Sequence, residues 1–475
     1  MSGKGLGSFV NRTTELATLT AWYDRTGPGL GVVFGRKRVG KTWLLTKFAD
    51  SRRVIRHTAR GRPLVEELRL ISVAAHPVIN LPRRSLIDRP FVDWDDMFEV
   101  LASAATSSPL LLVLDEFPEL IETSPGIEEE LRAAWDRVGA DDTNLKFLVC
   151  GSSVRIMEAL QEQHGAMFGR ADLRLRVLPF RPHETALMLP DATPSDRAAA
   201  WGVCGGIPRY LAMWDSSASF ARNLLRLVCN EQGLLLSEGE LVLVDEDIVG
   251  HRGERLPEQV LRAVGSGNTT FSAISTAVGN KLPTRTLKDL VDLRLLERIV
   301  PVTEPSRNTK RTYYRIADNF LAFWLACVEP HRSPIEQGLG PTVVPVITAV
   351  FDDYMGARYE SAFREHLRRL AHEGHLHPET VAVGEWWRLQ GPSTSDPCQL
   401  DAVVLAGRKR TPVVVGECKW AKTANGSSIL GSMRRKLHES KLADPATVTF
   451  YVCARERVER SEGMEVVTAD DIFSS

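Results

Sequence analysis

Residues 35–42 read Gly-Arg-Lys-Arg-Val-Gly-Lys-Thr, and this stretch decides the fold of the N-terminal part of the chain. An apolar run precedes it and an amphipathic segment follows it. A strand, a loop of the form G-x-x-x-x-G-K-[ST] and a helix together predict a phosphate-binding P-loop. Gly35 and Gly40 let backbone N–H groups turn toward phosphate oxygens. Lys41 is expected to reach the β- and γ-phosphates, and Thr42 to offer its hydroxyl to Mg²⁺.

A second predicted strand ends in two carboxylates. Residues 110–114 are Leu-Leu-Leu-Val-Leu, a run typical of a parallel strand buried on both faces, and Asp115 and Glu116 follow it. In open α/β sheets, functional side chains lie at the carboxyl ends of the strands. We therefore predict that Asp115 supports the Mg²⁺ shell and that Glu116 orients or deprotonates the attacking water.

A third strand, predicted over residues 146–150, ends in Gly-Ser-Ser. A hydroxyl from Ser152 or Ser153 would lie between the second strand and the γ-phosphate. The alternative is that these serines cap the helix that follows them. The sequence leaves both interpretations open.

Three further features flank these strands. Phe9-Val10-Asn11-Arg12 precedes the first strand, where Arg12 suits a lid over adenine, although packing accounts for the pattern at least as well. Arg170, in the loop Phe-Gly-Arg, could stabilise the γ-phosphate of a neighbouring subunit or be a plain surface arginine. Residues 205–208, Gly-Gly-Ile-Pro, predict a tight turn that starts a helix with Pro208 near its first position.

These motifs occur in the order and spacing of the archaeal-type P-loop ATPase family, within the STAND and AAA+ group, and the chain resembles that family over residues 8–247. The resemblance implies ATP rather than GTP. It also implies that Arg170 is an arginine finger and that the turn at Pro208 senses the nucleotide. A finger acting in trans requires subunits stacked head to tail, for which a ring is the closed solution, so we expect a homo-oligomer.

The composition indicates an ordinary soluble protein of several domains. The chain has 475 residues, 43% hydrophobic and 25% charged, with a formal net charge of −1. This length exceeds what one hydrophobic core usually supports, and any affinity for nucleic acid must come from local basic patches. No stretch is long and apolar enough to cross a bilayer, and the first residues lack a signal peptide. The seven scattered cysteines indicate reduced thiols, so we expect a cytoplasmic protein.

The middle of the chain predicts a small DNA-binding fold. Helical patterns and then alternating patterns occupy residues 257–264, 271–278, 282–293, 295–301 and 312–316. Three helices and a hairpin predict a winged helix-turn-helix, whose third helix, with Arg285 and Lys288, can enter a DNA major groove. The loop between the strands would touch phosphates through Arg307, Lys310 and Arg311. Alternatively, the winged helix only packs on other protein domains.

The C-terminal segment predicts a metal site on a small sheet. Its predicted order is αβββαβ, over residues 351–370, 381–389, 400–405, 412–415, 429–441 and 447–453. Asp401 on one strand can converge with Glu417 and Lys419 on the next, since alternate residues share one face of a strand. The two carboxylates would hold Mg²⁺, with Glu360 as a further ligand, and Lys419 would stabilise developing negative charge. An exposed ion pair is the alternative explanation of Glu-x-Lys.

Asp401, Glu417 and Lys419 match the core of PD-(D/E)XK nucleases, and the segment resembles the domain DUF234, which often follows archaeal-type ATPase domains. The resemblance implies a restriction-endonuclease-like fold and Mg²⁺-dependent cleavage of nucleic acid. Leu400 stands where the motif's name has proline. Inactive members of the superfamily serve as structural or binding domains.

The sequence therefore predicts an α/β multidomain protein. The predicted parts are a parallel-sheet ATPase core, a helical lid, a winged helix-turn-helix, a linker and a nuclease-like domain, over residues 1–182, 183–250, 251–330, 331–350 and 351–475. The leading hypothesis is an ATP-hydrolysing, DNA-binding protein whose C-terminal domain processes DNA with Mg²⁺. The alternatives are an ATP-driven regulatory switch with an inactive C-terminal domain, and a protein scaffold with an inactive P-loop.

Overall fold

The computed structural model describes residues 9–138, 143–162, 165, 167–245, 255–304, 309, 311–388 and 398–475. The chain forms two compact units, Met1–Pro179 and Phe180–Ser475. The first unit ends close to residue 182, where the sequence predicts the end of the ATPase core. The other four predicted domains all fall within the second unit.

The first unit alternates helices and strands. Its elements are α1 (Thr13–Tyr23), β1 (Gly29–Phe34), α2 (Lys41–Ala49), β2 (Val54–Thr58), α3 (Leu64–Ala75), α4 (Trp94–Ala104), β3 (Leu110–Asp115), α5 (Phe117–Thr123), α6 (Ile127–Val138), β4 (Leu145–Gly151), α7 (Val154–Ala159) and β5 (Leu173–Arg176). The alternation places helices between parallel strands, as in other α/β folds.

The five strands of the first unit form one parallel sheet in the order β2-β3-β4-β1-β5. Every residue of β1, β3 and β4 is buried, which explains why these strands are apolar apart from Lys146 and the terminal Asp115. Asp115 ends β3 and Gly151 ends β4, and Gly151 pairs with Phe34 of β1. The P-loop, the carboxylates and the serines therefore follow adjacent strand ends, which confirms the predicted parallel-sheet NTPase-like core.

The second unit begins with helices and a hairpin. Its first elements are α8 (Thr185–Met188), α9 (Pro194–Cys204), α10 (Pro208–Leu211), α11 (Phe220–Leu227), α12 (Glu238–Asp245), α13 (Leu256–Gly265), α14 (Phe271–Ala277), α15 (Thr284–Asp292), β6 (Leu296–Ile299), β7 (Tyr313–Ile316), α16 (Asn319–Phe323) and α17 (Arg332–Pro334). The antiparallel pair β6 and β7 follows three short helices, in the element order that the sequence predicts.

The prediction of a linker over residues 331–350 is wrong. This stretch is helical, and α18 runs from Gly340 to His372 with Pro345 inside it. Pro341 is tolerated because the first N–H groups of a helix have no partner within the helix, and Pro345 removes only one hydrogen bond close to the start. The composition of this stretch is typical of a linker, although a long helix begins within it.

The C-terminal part of the second unit is a mixed sheet covered by helices. Its elements after α18 are β8 (Thr380–Arg388), β9 (Cys398–Ala406), β10 (Thr411–Lys419), β11 (Thr423–Asn425), α19 (Gly426–Ser440), β12 (Thr449–Ala454), β13 (Arg457–Glu459), β14 (Glu465–Val467) and α20 (Ala469–Phe473). The sheet order is β14-β12-β10-β9-β8, with β8, β9 and β10 antiparallel and the other pairs parallel. The predicted αβββαβ order is present, with three additional short strands.

Alternate residues of β9 face opposite helices. Val403 and Leu405 pack in one core with Met433 of α19, whereas Ala402 and Val404 pack in another with Phe363 of α18. Helices thus cover both faces of the sheet and hold β9 and β10 between them. All seven cysteines lie in the described ranges, and each is a buried free thiol. Among the described residues, no helix combines the length and apolar character needed to span a bilayer.

Candidate functional site

The P-loop joins β1 to α2 through two glycines with positive φ. Gly35 has φ 155° and Gly40 has φ 96°, and a Cβ on Gly35 would lie 2.3 Å from the carbonyl oxygen of Val177. Only glycine fits at that position. The buried Lys41 donates from Nζ to the carbonyl oxygens of Gly35, at 2.6 Å, and Arg36, at 3.2 Å. The lysine therefore lies over the loop that is expected to receive phosphates.

Thr42 and Asp115 lie side by side, as the sequence predicts. The Thr42 hydroxyl donates to Asp115 Oδ2 at 3.3 Å, and the Asp115 side chain is buried at the end of β3. A hydroxyl and a carboxylate are hard oxygen donors, and Mg²⁺ bound with nucleotide typically takes only one or two protein oxygens. The donor chemistry of this pair fits Mg²⁺.

The structure gives Ser152 and Ser153 different hydrogen-bond partners. Ser152 donates from its hydroxyl to Glu116 Oε2 at 2.8 Å, and Ser153 caps α7 by accepting from the Ile156 N–H. Glu116 itself has a left-handed backbone, with φ 54°, at the start of α5. The geometry favours Ser152 as the residue of the site and gives Ser153 the capping role.

We expect Ser152→Ala to slow ATP hydrolysis about tenfold without weakening ATP binding, because Glu116 loses the hydroxyl that orients it. Ser153→Ala is the matched control. It should destabilise the protein by about 1 kcal/mol through loss of the cap and leave the rate per folded molecule unchanged. Phosphate release and thermal unfolding of both variants check this pair. Equal rates for Ser152→Ala and the wild type would remove Ser152 from the site.

The Arg12 side chain supports the P-loop by donating hydrogen bonds to backbone carbonyl oxygens. The buried guanidinium donates from Nη2 to the carbonyl oxygens of Val39, at 2.8 Å, and Leu178, at 2.7 Å, and it pairs with Glu15 at 2.8 Å. These contacts accord with the packing interpretation of the N-terminal motif. A contact between Arg12 and adenine stays a prediction.

Arg56 of β2 is a residue of this site that the sequence reading missed. Its Nη2 donates to Asp115 Oδ2 at 3.1 Å, and its Nη1 donates to the Thr46 hydroxyl at 2.5 Å. The pattern of β2 gives no sign of this contact, because nothing in the linear sequence places β2 beside β3. The guanidinium lies on the carboxylate that is expected to support the metal.

Arg170 and Pro208 have local structural partners. Arg170 donates to both carboxylate oxygens of Asp136, at 2.6 and 2.8 Å. Pro208 is the first residue of α10 in the second unit. The preceding Gly206 has positive φ, and a Cβ there would lie 2.2 Å from the Phe180 carbonyl oxygen. Close packing thus explains why glycines precede Pro208. The nucleotide roles of Arg170 and Pro208 stay predictions.

The second unit brings together the predicted C-terminal residues Asp401, Glu417 and Lys419. Both carboxylates are buried, and Lys419 Nζ lies 3.3 Å from Glu417 Oε2 and 3.8 Å from Asp401 Oδ2. Asp401 Oδ2 also accepts the Cys418 N–H at 2.9 Å. Lys436 of α19, which the sequence reading missed, pairs with Glu417 Oε1. The sequence of α19 gives no sign that Lys436 reaches the strand that carries Glu417.

The site concentrates negative charge in a buried region. Burial and then the carboxylates of Glu417 and Glu360 raise the pKa of Asp401 from 3.8 to about 8. Burial also raises the pKa of Glu360. Burial lowers the pKa of Lys419, but the charges of Asp401 and Glu417 outweigh that effect and leave it raised. A cation between the carboxylates would relieve the repulsion.

The described residues contain no group of three or more His, Cys, Asp or Glu side chains arranged to hold a metal ion. The predicted set of Asp401, Glu417 and Glu360 is therefore not found as a metal-binding group among these residues. The charge of Glu360 on α18 still contributes to the raised pKa of Asp401. Asp401 and Glu417 remain as a pair of hard oxygen donors. Two carboxylates suit Mg²⁺, which keeps several of its waters.

We predict that the metal-free protein loses stability relative to Asp401→Asn as the pH rises from about 4 to about 8. A carboxyl group whose folded pKa is raised from 3.8 to about 8 stabilises the fold while protonated, and this contribution disappears as the group ionises. The Asn side chain keeps an oxygen for the Cys418 N–H but cannot ionise. Calorimetric unfolding of both proteins in EDTA at several pH values tests this. A difference in melting temperature that does not vary with pH would contradict it.

Arg311, from the basic loop predicted to touch DNA, packs on the C-terminal sheet. Arg311 donates from Nη1 to the Trp387 carbonyl oxygen at 2.9 Å and pairs with Glu304. The ring of Tyr313 lies 5.0 Å from the ring of Trp387. Arg307 and Lys310 lie outside the described residues. The packing interpretation therefore fits Arg311 better than a free phosphate contact.

A buried polar network joins this hairpin to Asp401. The Tyr313 hydroxyl donates to Glu385, which lies 3.7 Å from Arg315 and 3.4 Å from Arg364. Arg364 in turn donates to the Asp401 backbone carbonyl at 2.7 Å. Removing one partner of a buried ion pair is costly, so this network fixes the backbone that carries Asp401.

The third helix of the middle module, α15, carries balanced charge. Arg285 and Lys288 are exposed, and they lie 3.9 Å from Asp289 and 3.0 Å from Asp292 respectively. Acidic partners one turn away reduce the attraction for phosphate. Binding of nucleic acid through Arg285 and Lys288 stays a prediction.

Two family models match the chain. Residues 9–214 match a family model described as an ATPase domain predominantly from Archaea. The chain therefore contains an ATPase domain of this archaeal type. Residues 324–429 match a second model, DUF234, described as archaeal and bacterial proteins of unknown function. The predicted resemblances to the archaeal-type ATPase domain and to DUF234 are confirmed.

A protein of Methanocaldococcus jannaschii resembles the chain over nearly its whole length. This uncharacterised protein is 25% identical over 472 residues, which cover 97% of the chain and 99% of the relative. An uncharacterised ATP-binding protein of that organism is 38% identical over 52 residues, 11% of this chain and 88% of that protein. A solved Walker-type ATPase of Pyrococcus abyssi has a TM-score of 0.53 at 20% identity, covering 68% of this chain and 98% of that one. The structural likeness shows a shared fold.

Proposed function

We propose that this protein hydrolyses ATP, binds DNA and cleaves it at a Mg²⁺-dependent site in the C-terminal domain. The observation that carries the proposal is the cluster of the buried carboxylates of Asp401 and Glu417 with the half-exposed Lys419, in the same chain as an intact P-loop. Glycines, a lysine, a hydroxyl and a carboxylate around the P-loop form the set that nucleotide hydrolysis needs. The second cluster offers the groups needed for phosphodiester cleavage.

At the P-loop, Lys41 binds the β- and γ-phosphates, and Thr42 and Asp115 hold Mg²⁺. The metal supplies charge that offsets the negative charge of the phosphates. Glu116 accepts a hydrogen bond from Ser152 at 2.8 Å, which fixes the carboxylate that orients or deprotonates the attacking water. Arg170 would leave Asp136 to reach the γ-phosphate of a neighbouring subunit in a head-to-tail ring.

At the C-terminal cluster, Asp401 and Glu417 hold Mg²⁺, whose chemistry is to activate water and polarise the phosphate. Lys419 stabilises the negative charge that develops on the phosphate. Lys436 pairs with the second oxygen of Glu417 and compensates the charge of that carboxylate in its buried position. The exposed side chains of Arg285 and Lys288 supply contacts to the DNA backbone.

The second candidate function is an ATP-driven switch with a catalytically silent C-terminal domain. The specific observation in its favour is that lysines pair with both Glu417 oxygens, Lys419 with Oε2 and Lys436 with Oε1. Such pairing neutralises the carboxylate without a metal. Arg311 packed against Trp387 also fits a hairpin that transmits movement rather than one that binds DNA.

Incubation of the purified full-length protein with supercoiled, linear and single-stranded DNA separates the two functions. We expect nicking or cutting that requires Mg²⁺ and stops in EDTA. RNA in parallel reactions tests the class of substrate. ATP hydrolysis without any metal-dependent cleavage of these substrates would favour the switch.

A further inference from the structure

Arg56 lies close to the predicted metal position although no P-loop motif contains it. It is on β2, where it pairs with Val113 of β3, and Thr58 pairs with Asp115. Residues two apart on a strand share a face, so Arg56 and Thr58, with their partners, lie on the same face of the sheet. From this position the guanidinium spans Asp115 Oδ2, at 3.1 Å, and the Thr46 hydroxyl, at 2.5 Å.

The Asp115 carboxylate is almost fully buried, with 2% of its side chain exposed. Its Oδ1 accepts the Glu116 N–H at 3.2 Å, and its Oδ2 accepts both the Thr42 hydroxyl, at 3.3 Å, and Arg56. The hydroxyl and the N–H are neutral donors, whereas Arg56 brings a full positive charge. A buried carboxylate without a cation is costly, so Arg56 contributes strongly to compensating the charge of Asp115 and to holding its side chain in place.

We infer that Arg56 is the counter-ion of Asp115 in the metal-free site and that Mg²⁺ arriving with ATP takes over this charge. Arg56 and Mg²⁺ would both interact with the Asp115 carboxylate, so each can compensate its charge in place of the other. Arg56 therefore sets how strongly ATP binding depends on Mg²⁺. This inference rests on the proposed ATP- and Mg²⁺-binding function of the P-loop.

Removal of Arg56 leaves Asp115 and Glu116 facing the phosphates of ATP without the guanidinium that compensates the Asp115 charge, while Lys41 remains on the phosphates. Without Mg²⁺, repulsion between carboxylates and phosphates then increases, and ATP affinity should fall about tenfold or more. With Mg²⁺ present, the metal supplies the missing charge, and the loss should be less than about threefold. The signature is a rise in the ratio of Kd in EDTA to Kd in Mg²⁺.

The test is calorimetric titration of ATP into full-length wild type, Arg56→Ala and Arg56→Lys, in EDTA and in Mg²⁺. Arg69→Ala is the matched control, because Arg69 is an exposed arginine of the same unit, paired with Glu66 at 2.8 Å. We expect the ratio of Kd values to rise at least about threefold in Arg56→Ala. It should return toward the wild-type value in Arg56→Lys and stay unchanged in Arg69→Ala.

A uniform loss of affinity in both conditions would overturn the inference and leave Arg56 a structural residue. Where Arg56→Ala does not fold, Arg56→Gln replaces it, because the amide keeps hydrogen-bond donors for Asp115 and Thr46 but no charge. Wild-type protein that binds no ATP in either condition would overturn the proposed function itself, and this result is distinct from a changed ratio.

Discussion

Lys41→Ala is expected to reduce ATP hydrolysis at least about 100-fold. The reason is that Lys41 is the buried ammonium of the P-loop, with Nζ 2.6 Å from the Gly35 carbonyl oxygen, in the loop that receives phosphates. An alanine removes the positive charge that stabilises the transferring phosphoryl group. Phosphate release under saturating ATP and Mg²⁺ measures the loss.

Lys47→Ala is the control for this change. Lys47 lies on the same helix, α2, but is exposed and pairs with Asp50 at 3.1 Å. It should keep the full wild-type rate, since a surface ion pair contributes little to stability. A Lys41→Ala protein as active as wild type would show that hydrolysis occurs elsewhere, and it would revive the view of the protein as a scaffold with an inactive P-loop.

Asp401→Asn and Glu417→Gln are each expected to lower Mg²⁺-dependent DNA cleavage about 10³-fold, because each removes one of two carboxylates that hold the metal. ATP hydrolysis in the absence of DNA should be unchanged, since these residues belong to the second unit. Asp401→Asn should also be at least as stable as the metal-free wild type near neutral pH, because it removes a carboxyl group whose pKa is raised to about 8 by burial and by the neighbouring carboxylates.

Glu439→Gln provides the control for the C-terminal variants. Glu439 is an exposed carboxylate on α19, the helix that carries Lys436. Its change alters net charge by the same amount as Glu417→Gln without touching the buried cluster. Cleavage that survives in Asp401→Asn and Glu417→Gln would point to a contaminating nuclease or to a different site.

The sequence was sufficient where local patterns carry the information. The P-loop needs two glycines and a lysine at fixed spacing, and continuous apolar runs ending in Asp115 or Gly151 identify buried strands whose ends converge. The C-terminal cluster could be predicted because Asp401 and Glu417 lie on adjacent strands and alternate residues of a strand share one face. These predictions needed only strand and turn geometry.

Other features depended on long-range packing. Arg56 reaches Asp115 only because β2 lies beside β3, and Lys436 reaches Glu417 only because α19 crosses β10. The sequence predicts that Arg311 of the hairpin contacts phosphate, whereas in the structure its guanidinium donates to the Trp387 carbonyl oxygen. Composition cannot show which of several basic residues remains available to a partner.

Titration of Mn²⁺ into the full-length, nucleotide-free protein tests the central claim most directly. Manganese prefers the same oxygen ligands as Mg²⁺ and gives measurable heats. We predict that wild-type protein shows a binding event that disappears in the Asp401→Asn, Glu417→Gln double variant and persists in Glu439→Gln. Identical titrations for wild type and the double variant would contradict a metal site at Asp401 and Glu417.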